Sequence, residues 1–243
     1  LRSQGARVSW LLPTPFYTEA MLGVMNSAGG TTWSFRSDES TAIHGGAPIS
    51  REVKSPGDLL YVPRVASSLD LTDNQVLLVG ASGAFGPNSG GAASRSEVYG
   101  LDAYWKWKSS TAHQGFPFVS LQGEYLSRRY DVDQRSATDD RAPGALPAAT
   151  LTDDGAYAQV LWGIVPRVVV GLRGEYVKAG SSAFVSPERA DRNRWSPNVT
   201  WYPSEFSKLR LQYNYDDRPG IGRDHSVWVQ FEFLLGAHAA HKF

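Results

Sequence analysis

Apolar and polar residues alternate with a period of two along most of this chain. In the last third, Leu209, Leu211, Tyr213 and Tyr215 alternate with charged and amide residues, and residues 227–235 repeat the pattern. Successive side chains of a β-strand point to opposite faces of a sheet, so each such segment has one oily and one polar face. The same period recurs in nine other segments: 8–12, 16–25, 61–71, 76–85, 99–108, 119–125, 156–164, 168–176 and 194–201.

The pattern therefore predicts about eleven strands of about ten residues each, which is the length that a tilted strand needs to cross a bilayer. The connections between these strands alternate in length. Short links such as "LTDNQ" and "GIVPRV" are followed by long polar ones, including 26–59, 131–150 and "DDRPGIGRD". Short turns at one end and long loops at the other are typical of outer-membrane barrels.

The sequence thus predicts an all-β fold, a transmembrane antiparallel up-and-down β-barrel in which residues 1–243 form a single domain. A soluble β-sandwich or lipocalin-like barrel also alternates, but it packs its oily face inside. Such a fold seldom places Trp, Tyr and Phe at both ends of so many strands. We therefore favour the membrane barrel.

Strand direction carries a further expectation. If the last strand runs toward the periplasm, the first predicted strand runs the same way, which puts Leu1 on the extracellular side. A bacterial barrel normally starts in the periplasm and has an even number of strands. We therefore expect an odd number of strands before Leu1, so that this chain is the C-terminal portion of a larger even-stranded barrel.

Composition narrows the function classes. Lys and Arg together number 24, as do Asp and Glu, so the overall charge gives no reason to expect a nucleic-acid partner. Cysteine is absent from the chain, which excludes disulfides, thiolate metal sites and cysteine nucleophiles. No apolar run approaches the roughly 18 residues of a membrane helix. The aromatic share is 12%, which suits aromatic girdles at two membrane interfaces.

Several longer segments resemble a family of Gram-negative outer-membrane proteins whose members are labelled porin-like or zinc-regulated TonB-dependent outer-membrane receptors. They include "SPNVTWYPSEFSKLRLQYNYDD", "HSVWVQFEFLLGAHAAHKF", "WLLPTPFYTEAMLGV" and "LPAATLTDDGAYAQVLWG". The resemblance implies an outer-membrane location, further chain upstream and a link to metal supply. A TonB-dependent transporter is a 22-stranded barrel with a plug, and this sequence shows neither a plug nor enough strands. We therefore do not extend that mechanism to this chain.

An outer-membrane location implies outer-membrane lipid and lipopolysaccharide as neighbours, with other envelope proteins as further candidate partners. It also implies a periplasmic C-terminus and extracellular long loops. Phe243 shares its parity with the oily row of the last predicted strand. A terminal Phe in that position resembles the signal that the barrel-assembly machinery reads.

The polar rows are predicted to line the lumen of the barrel. Because cations and anions are mixed on them, we expect porin-like passive diffusion of small polar solutes or ions with weak selectivity. Alternatively, the charges pair across a narrow lumen and leave a closed structural or partner-binding barrel in an outer-membrane complex. The predicted lumen-lining residues are Arg64, Asp102, Lys106, Glu124, Arg173, Glu175, Arg194, Arg210, Gln212 and Glu232.

Two motifs carry candidate chemistry. His238 and His241 are potential zinc ligands, but two ligands do not close a site, and opposite parity puts them on opposite faces of a strand. Asp216, Asp217, Asp224 and His225 gather near one predicted hairpin and could activate water, although Asp, Gly and Pro are ordinary loop residues. We therefore expect no cofactor and no enzymatic activity. A metal-linked receptor and a rim-sited hydrolase are the lesser alternatives.

Overall fold

A computed structural model describes residues 3–28, 33–36, 49, 51–136, 145–180 and 191–235. Within these ranges eleven strands form one sheet, and two short strands form a separate pair. The strands are β1 (Gly5–Leu11), β2 (Tyr17–Met25), β3 (Leu60–Thr72), β4 (Gln75–Pro87), β5 (Arg95–His113), β6 (Phe116–Val132), β7 (Arg135–Ser136), β8 (Ala145–Leu146), β9 (Ala149–Val165), β10 (Val168–Ala179), β11 (Arg192–Ser204), β12 (Ser207–Arg218) and β13 (Gly222–Phe233).

The large sheet has up-and-down topology. Its strand order is β1-β2-β3-β4-β5-β6-β9-β10-β11-β12-β13, and every neighbouring pair is antiparallel. The prediction of an all-β fold with about eleven antiparallel strands is therefore confirmed. The described sheet is open, with β1 and β13 as its edges. Because strand direction alternates, these two edge strands run the same way, and the expected strands before Leu1 stay a prediction.

Connections at one end of the sheet are short, and we call it the short-turn end. The links β3–β4, β5–β6, β9–β10 and β11–β12 each consist of two residues. Most connections at the opposite, long-loop end are longer, as the sequence predicted. Within the described residues no helix combines the length and the apolar character that crossing a membrane requires.

Two connections are shorter than the sequence predicted. The segment "KSSTAHQGFP" is mostly strand, because β5 continues to His113 and the turn is only Gln114 and Gly115, both in the left-handed region, with φ of 53° and 83°. The segment "DDRPGIGRD" is also mostly strand, with its turn at residues 219–221. Both strand extensions carry polar residues on both faces, so the oily alternation ends before the strands do.

One face of the sheet, here called the apolar face, carries a broad band without charged residues. The registers place Leu211 between Val199 and Val229, and Val160 between Leu121 and Leu172, on this face. Charged residues of the described strands occur on it only toward the long-loop end: Arg95, Glu97, Arg129, Asp131, Asp154, Lys178, Asp217 and Arg223.

Aromatic residues flank this band on individual strands. Tyr99 and Trp107 on β5 lie eight residues apart, about 27 Å along an extended strand. Trp195 and Trp201 flank the band in the same way on β11. At a tilt of roughly 40°, 27 Å of strand crosses about 21 Å of the layer, which approaches the ~25 Å apolar band of outer-membrane barrels.

The apolar face is not packed against a second layer in the described part of the chain. Its large side chains are exposed, Phe231 by 68% and Val229 by 70% of their surface. Apolar patches of this extent are rare on monomeric soluble proteins. A soluble sandwich would bury this face, so the observed arrangement argues against that alternative.

Candidate functional site

The opposite face, here called the polar face, holds all ten residues that were predicted to line a lumen. They are distributed over β3, β5, β6, β10, β11, β12 and β13. Asp102 lies beside Glu124, Glu175 beside Arg194, and Lys208 beside Glu232. Their lining of a lumen stays a prediction, because the described sheet is open.

A bidentate ion pair joins β3 to β5 across β4. Arg64 Nη1 donates to Asp102 Oδ2 at 2.6 Å, and Nη2 donates to Oδ1 at 2.8 Å. Gly80 of β4 lies between the two side chains, and a Cβ atom there would come within 2.5 Å of Arg64 Nη2. A side chain at position 80 would therefore force the guanidinium or the carboxylate to move out of this bidentate geometry.

A second network centres on Arg173. Its Nη2 donates to Glu175 Oε1 at 2.7 Å, and its guanidinium lies 3.7 Å from the centroid of the Tyr157 ring. The Tyr157 hydroxyl accepts a hydrogen bond from Gln122 Nε2 at 3.0 Å. Charge pairing, cation–π stacking and an amide bond thus fix side chains of β6, β9 and β10 on the polar face.

Asp216 anchors two arginines near the long-loop end of β11 and β12. Arg192 Nε donates to Asp216 Oδ1 at 2.7 Å, and Arg194 Nη2 donates to Oδ2 at 2.5 Å. The Asp216 side chain is only 5% exposed. Such a buried carboxylate is stabilised when its oxygens receive charged donors from both sides.

The four residues of the hydrolase alternative are divided between the two faces. Asp216 and Asp224 are cross-strand partners on the polar face, whereas Asp217 and His225 lie on the apolar face. His225 Nδ1 lies 2.5 Å from the hydroxyl of Tyr213 on that same face. The described geometry therefore does not bring Asp224 and His225 together as a couple.

Part of the β2–β3 connection folds onto the polar face. Arg128 Nη1 donates to Ser34 Oγ at 3.0 Å, while Arg128 Nε donates to Asp153 Oδ2 at 3.0 Å. Phe35 is 2% exposed, and a Cβ at Gly86 would lie 3.2 Å from its ring. The described part of the connection 26–59 therefore packs against the sheet, and its predicted extracellular location stays a prediction. The aromatic residues of "TTWSF" were the sequence signal that could have indicated that this segment packs against the sheet.

The loop that enters β3 contains a short 3-10 turn, Pro56–Asp58. Asp58 accepts hydrogen bonds from the backbone N–H groups of Lys54, at 3.1 Å, and Ser55, at 3.0 Å. These bonds, the Lys54 bond foremost, hold the pKa of the Asp58 carboxyl below its usual range, and the Ser55 hydroxyl and nearby Arg51 act in the same direction. The carboxylate stays ionised, so its acceptor role persists into acid.

Three predicted residues lie outside the described residues: His238, His241 and Phe243. Among the residues that are described, no group of three or more His, Asp or Glu side chains is arranged to hold a metal ion. One residue that the sequence analysis did not single out is Trp228, which lies on the polar face opposite Gln212. The sequence signal that could have placed Trp228 on this face is its even residue number, because the even-numbered residues of β13 share the polar face.

No family model matches the chain. The chain is 28% identical over 270 residues to an uncharacterized protein of Aquifex aeolicus (strain VF5), in an alignment that covers 100% of this chain and 52% of that protein. The chain therefore spans about half the length of this curated relative.

Among solved structures, the chain is similar to the siderophore receptor PirA from Acinetobacter baumannii. The TM-score is 0.48 at 12% identity, and the match covers 96% of this chain and 38% of that chain. A likeness at this level carries no argument about what the present chain does. The family resemblance therefore stays an expectation.

The close approach of Arg64 and Asp102 leads to the first prediction. Replacing Gly80 with Ala should lower the free energy of unfolding by up to about 1 kcal/mol, because the added methyl group displaces the side-chain ends of Arg64 and Asp102 and breaks their partly exposed ion pair. Gly155→Ala is the matched control, because its Cβ would meet Tyr176 O at an ordinary 3.5 Å. Urea unfolding of both variants measures the difference. Equal losses in the two variants would contradict this account of Gly80.

Asp216 leads to the second prediction. Asp216→Asn should destabilise the protein by about 1–3 kcal/mol, because two arginines lose their charged acceptor. Asp224→Asn is the control, since Asp224 is the cross-strand partner of Asp216 on the same face but makes no ion pair in the described part of the chain. Thermal unfolding reports both variants. A larger effect from Asp224→Asn would show that the arginine clamp is unimportant.

Proposed function

We propose that this chain forms part of an outer-membrane β-barrel whose polar face lines a water-filled lumen and lets small polar solutes or ions diffuse through. The observation that carries the proposal is the separation of the two faces. One face has a charge-free band flanked by aromatic residues, and the other holds the charged side chains of successive strands. A sheet of this kind suits hydrocarbon on one side and water on the other.

Backbone hydrogen bonding supports the membrane location. Every strand between the edges pairs on both sides, so its N–H and C=O groups are satisfied within the sheet. Only the edges β1 and β13 would need further partners in hydrocarbon. Outer-membrane lipid and lipopolysaccharide would cover the apolar face, and the barrel-assembly machinery would insert the protein. In this arrangement the C-terminus is periplasmic and the long loops are extracellular.

Passive diffusion is favoured because the charges on the polar face are mixed and locally paired. Arg64 with Asp102, Arg173 with Glu175 and Lys208 with Glu232 place opposite charges side by side. A lumen lined in this way presents no uniform field, so it should select weakly between anions and cations.

A closed structural or partner-binding barrel is the second candidate, and one observation favours it. The segment around Phe35 lies against the polar face and is fixed by Arg128. An inward-folded segment narrows whatever lumen this face encloses. Conductance separates the two candidates, because a sealed barrel gives no current.

Single-channel recording in planar lipid bilayers tests the diffusion proposal. We expect the intact protein to give discrete current steps. Because this chain has no cysteine, Glu124→Cys introduces a thiol on the polar face that a water-soluble, charged thiosulfonate reagent should modify, with a change in current. Tyr125→Cys is the control, since its side chain points to the apolar face.

The outcomes of this experiment are distinct. Absence of current steps from folded, inserted protein would favour the closed barrel. A current that responds to modification at position 125 but not at position 124 would show that the two faces have been assigned the wrong way round.

The membrane location leads to a fourth prediction. Val160→Arg places a charge in the apolar band and should destabilise the protein in lipid vesicles by about 2–4 kcal/mol, the cost of Arg near the bilayer midplane. Gln159→Arg, one residue away on the polar face, faces Arg173 across the strands and should cost no more than about 1 kcal/mol, the range of a cross-strand like-charge pair. Urea unfolding from vesicles measures both variants. A small effect at position 160 would argue that the band is not in lipid.

A further inference from the structure

We propose that Trp228 and the amide side chains around it form a binding site for an uncharged saccharide on the polar face of β11–β13. The proposal depends on the proposed function in one respect only: the polar face must be exposed to water. Neither ion pairing nor packing explains why an aromatic side chain and several amides cluster at this position, and a bound saccharide would.

Trp228 is an aromatic side chain on a polar surface, and it is 63% exposed. Its Nε1 donates to Ser226 Oγ at 3.2 Å, and Asn214 Nδ2 donates to the same oxygen at 3.1 Å. Gln212 Nε2 in turn donates to Asn214 Oδ1 at 2.8 Å. This chain of hydrogen bonds fixes the edge of the indole while much of its surface stays open.

The surroundings of the indole form a shallow cavity. A concavity of about 480 Å³ at the outer edge of the sheet is lined by Arg210, Gln212, Trp228 and Gln230, and also by Val229 and Phe231, whose side chains belong to the apolar face. Its volume is within the size range of small-molecule sites. Arg210 donates its Nε to Thr200 Oγ1 at 2.9 Å. Arg210 lines the cavity, and its two Nη atoms make no hydrogen bond or ion pair with the described residues.

Two buried polar side chains lie on β11, the neighbouring strand of the polar face. Asn198 of β11 is the cross-strand partner of Gln212. Asn198 and Ser196 are more than nine-tenths buried, yet Asn198 Oδ1 and Ser196 Oγ have no hydrogen-bond partner among the described residues. Buried polar atoms are nearly always hydrogen-bonded. Both residues extend the row of amide and hydroxyl groups on this face, but the Asn198 amide lies over Gly171 of β10, and neither residue lines the cavity.

The chemistry of the patch selects the ligand class. A pyranose ring has an apolar C–H face, which can lie on an indole, and hydroxyl groups that both donate and accept. Amide and hydroxyl side chains dominate around Trp228, and they match such groups without a fixed sign of charge. The one cation at the cavity, Arg210, does not form the cluster of positive charges that a phosphate site uses.

A packing role does not account for Trp228. β13 is the edge of the described sheet, and a further strand beside it would pair with its backbone in the plane of the sheet. The indole points out of that plane, on the polar face. Pairing would therefore leave the indole accessible from the same side.

Calorimetric titration of the purified intact protein in detergent micelles with maltose and with lactose tests the site. We expect at least one of these sugars to bind and Trp228→Ala to raise its Kd about tenfold, a change consistent with the loss of one well-placed aromatic contact. Trp228→Phe should keep most of the affinity. Trp201→Ala is the matched control, since Trp201 is 50% exposed but lies on the apolar face.

Gln212→Met gives a second test if Trp228→Ala does not fold, and it should also weaken sugar binding. Failure of both sugars to bind the folded wild-type protein, or equal affinity in the wild type and a folded Trp228→Ala variant, would overturn the proposal. Binding in micelles does not require conduction. Sugar binding without channel current would thus refute the diffusion function alone, and current without sugar binding would refute the saccharide site alone.

Discussion

The register of the antiparallel ladder is the constraint on which the rest of this structure depends. A slip of one residue would exchange the two faces of a strand and bring its charges into the apolar band. The ladder avoids this by keeping its irregularities outside the band. The register shifts of the described sheet lie beside the two-residue turns, next to Thr72, His113, Val168 and Ser204. Bulges at the rim of a sheet absorb a turn without inverting the strand that follows.

A second consequence of the register is the way in which the polar face neutralises its charges. Exposed ion pairs add little stability one by one, so their importance lies in where they place charge. Arg64 and Asp102 meet across β4 because Gly80 leaves room, and Arg173 pairs with Glu175 along its own strand. Local pairing of this kind removes any broad field of one sign. The same face can therefore take up uncharged solutes as readily as ions, which connects its electrostatics to the amide-rich patch around Trp228.

The strands and their faces could be predicted from the sequence because period two is encoded residue by residue. For the same reason, all ten residues chosen as lumen-lining are on the polar face. Trp228 obeys the same parity, but a pattern that counts Trp as oily does not distinguish it from its apolar-face neighbours. The ends of β5 and β12 were not predicted, because these extensions are polar on both faces and therefore lack the apolar–polar alternation. The packing of Phe35 and the hydrogen bond from Arg128 to Ser34 could not be predicted, because contacts between distant segments produce no period-two pattern in the sequence.

The open edges determine how the polar face can become a lumen. β1 and β13 run in the same direction, so joining them directly would create a parallel pair in a sheet that is otherwise antiparallel. Unpaired backbone groups at those edges would be costly in hydrocarbon, so a membrane location requires them to be covered. An odd number of additional strands closes the sheet with antiparallel pairs throughout. Closure of that kind would place those strands beside β13 and would curve the polar face around Trp228, so the proposed saccharide site would lie inside the barrel rather than at an exposed margin.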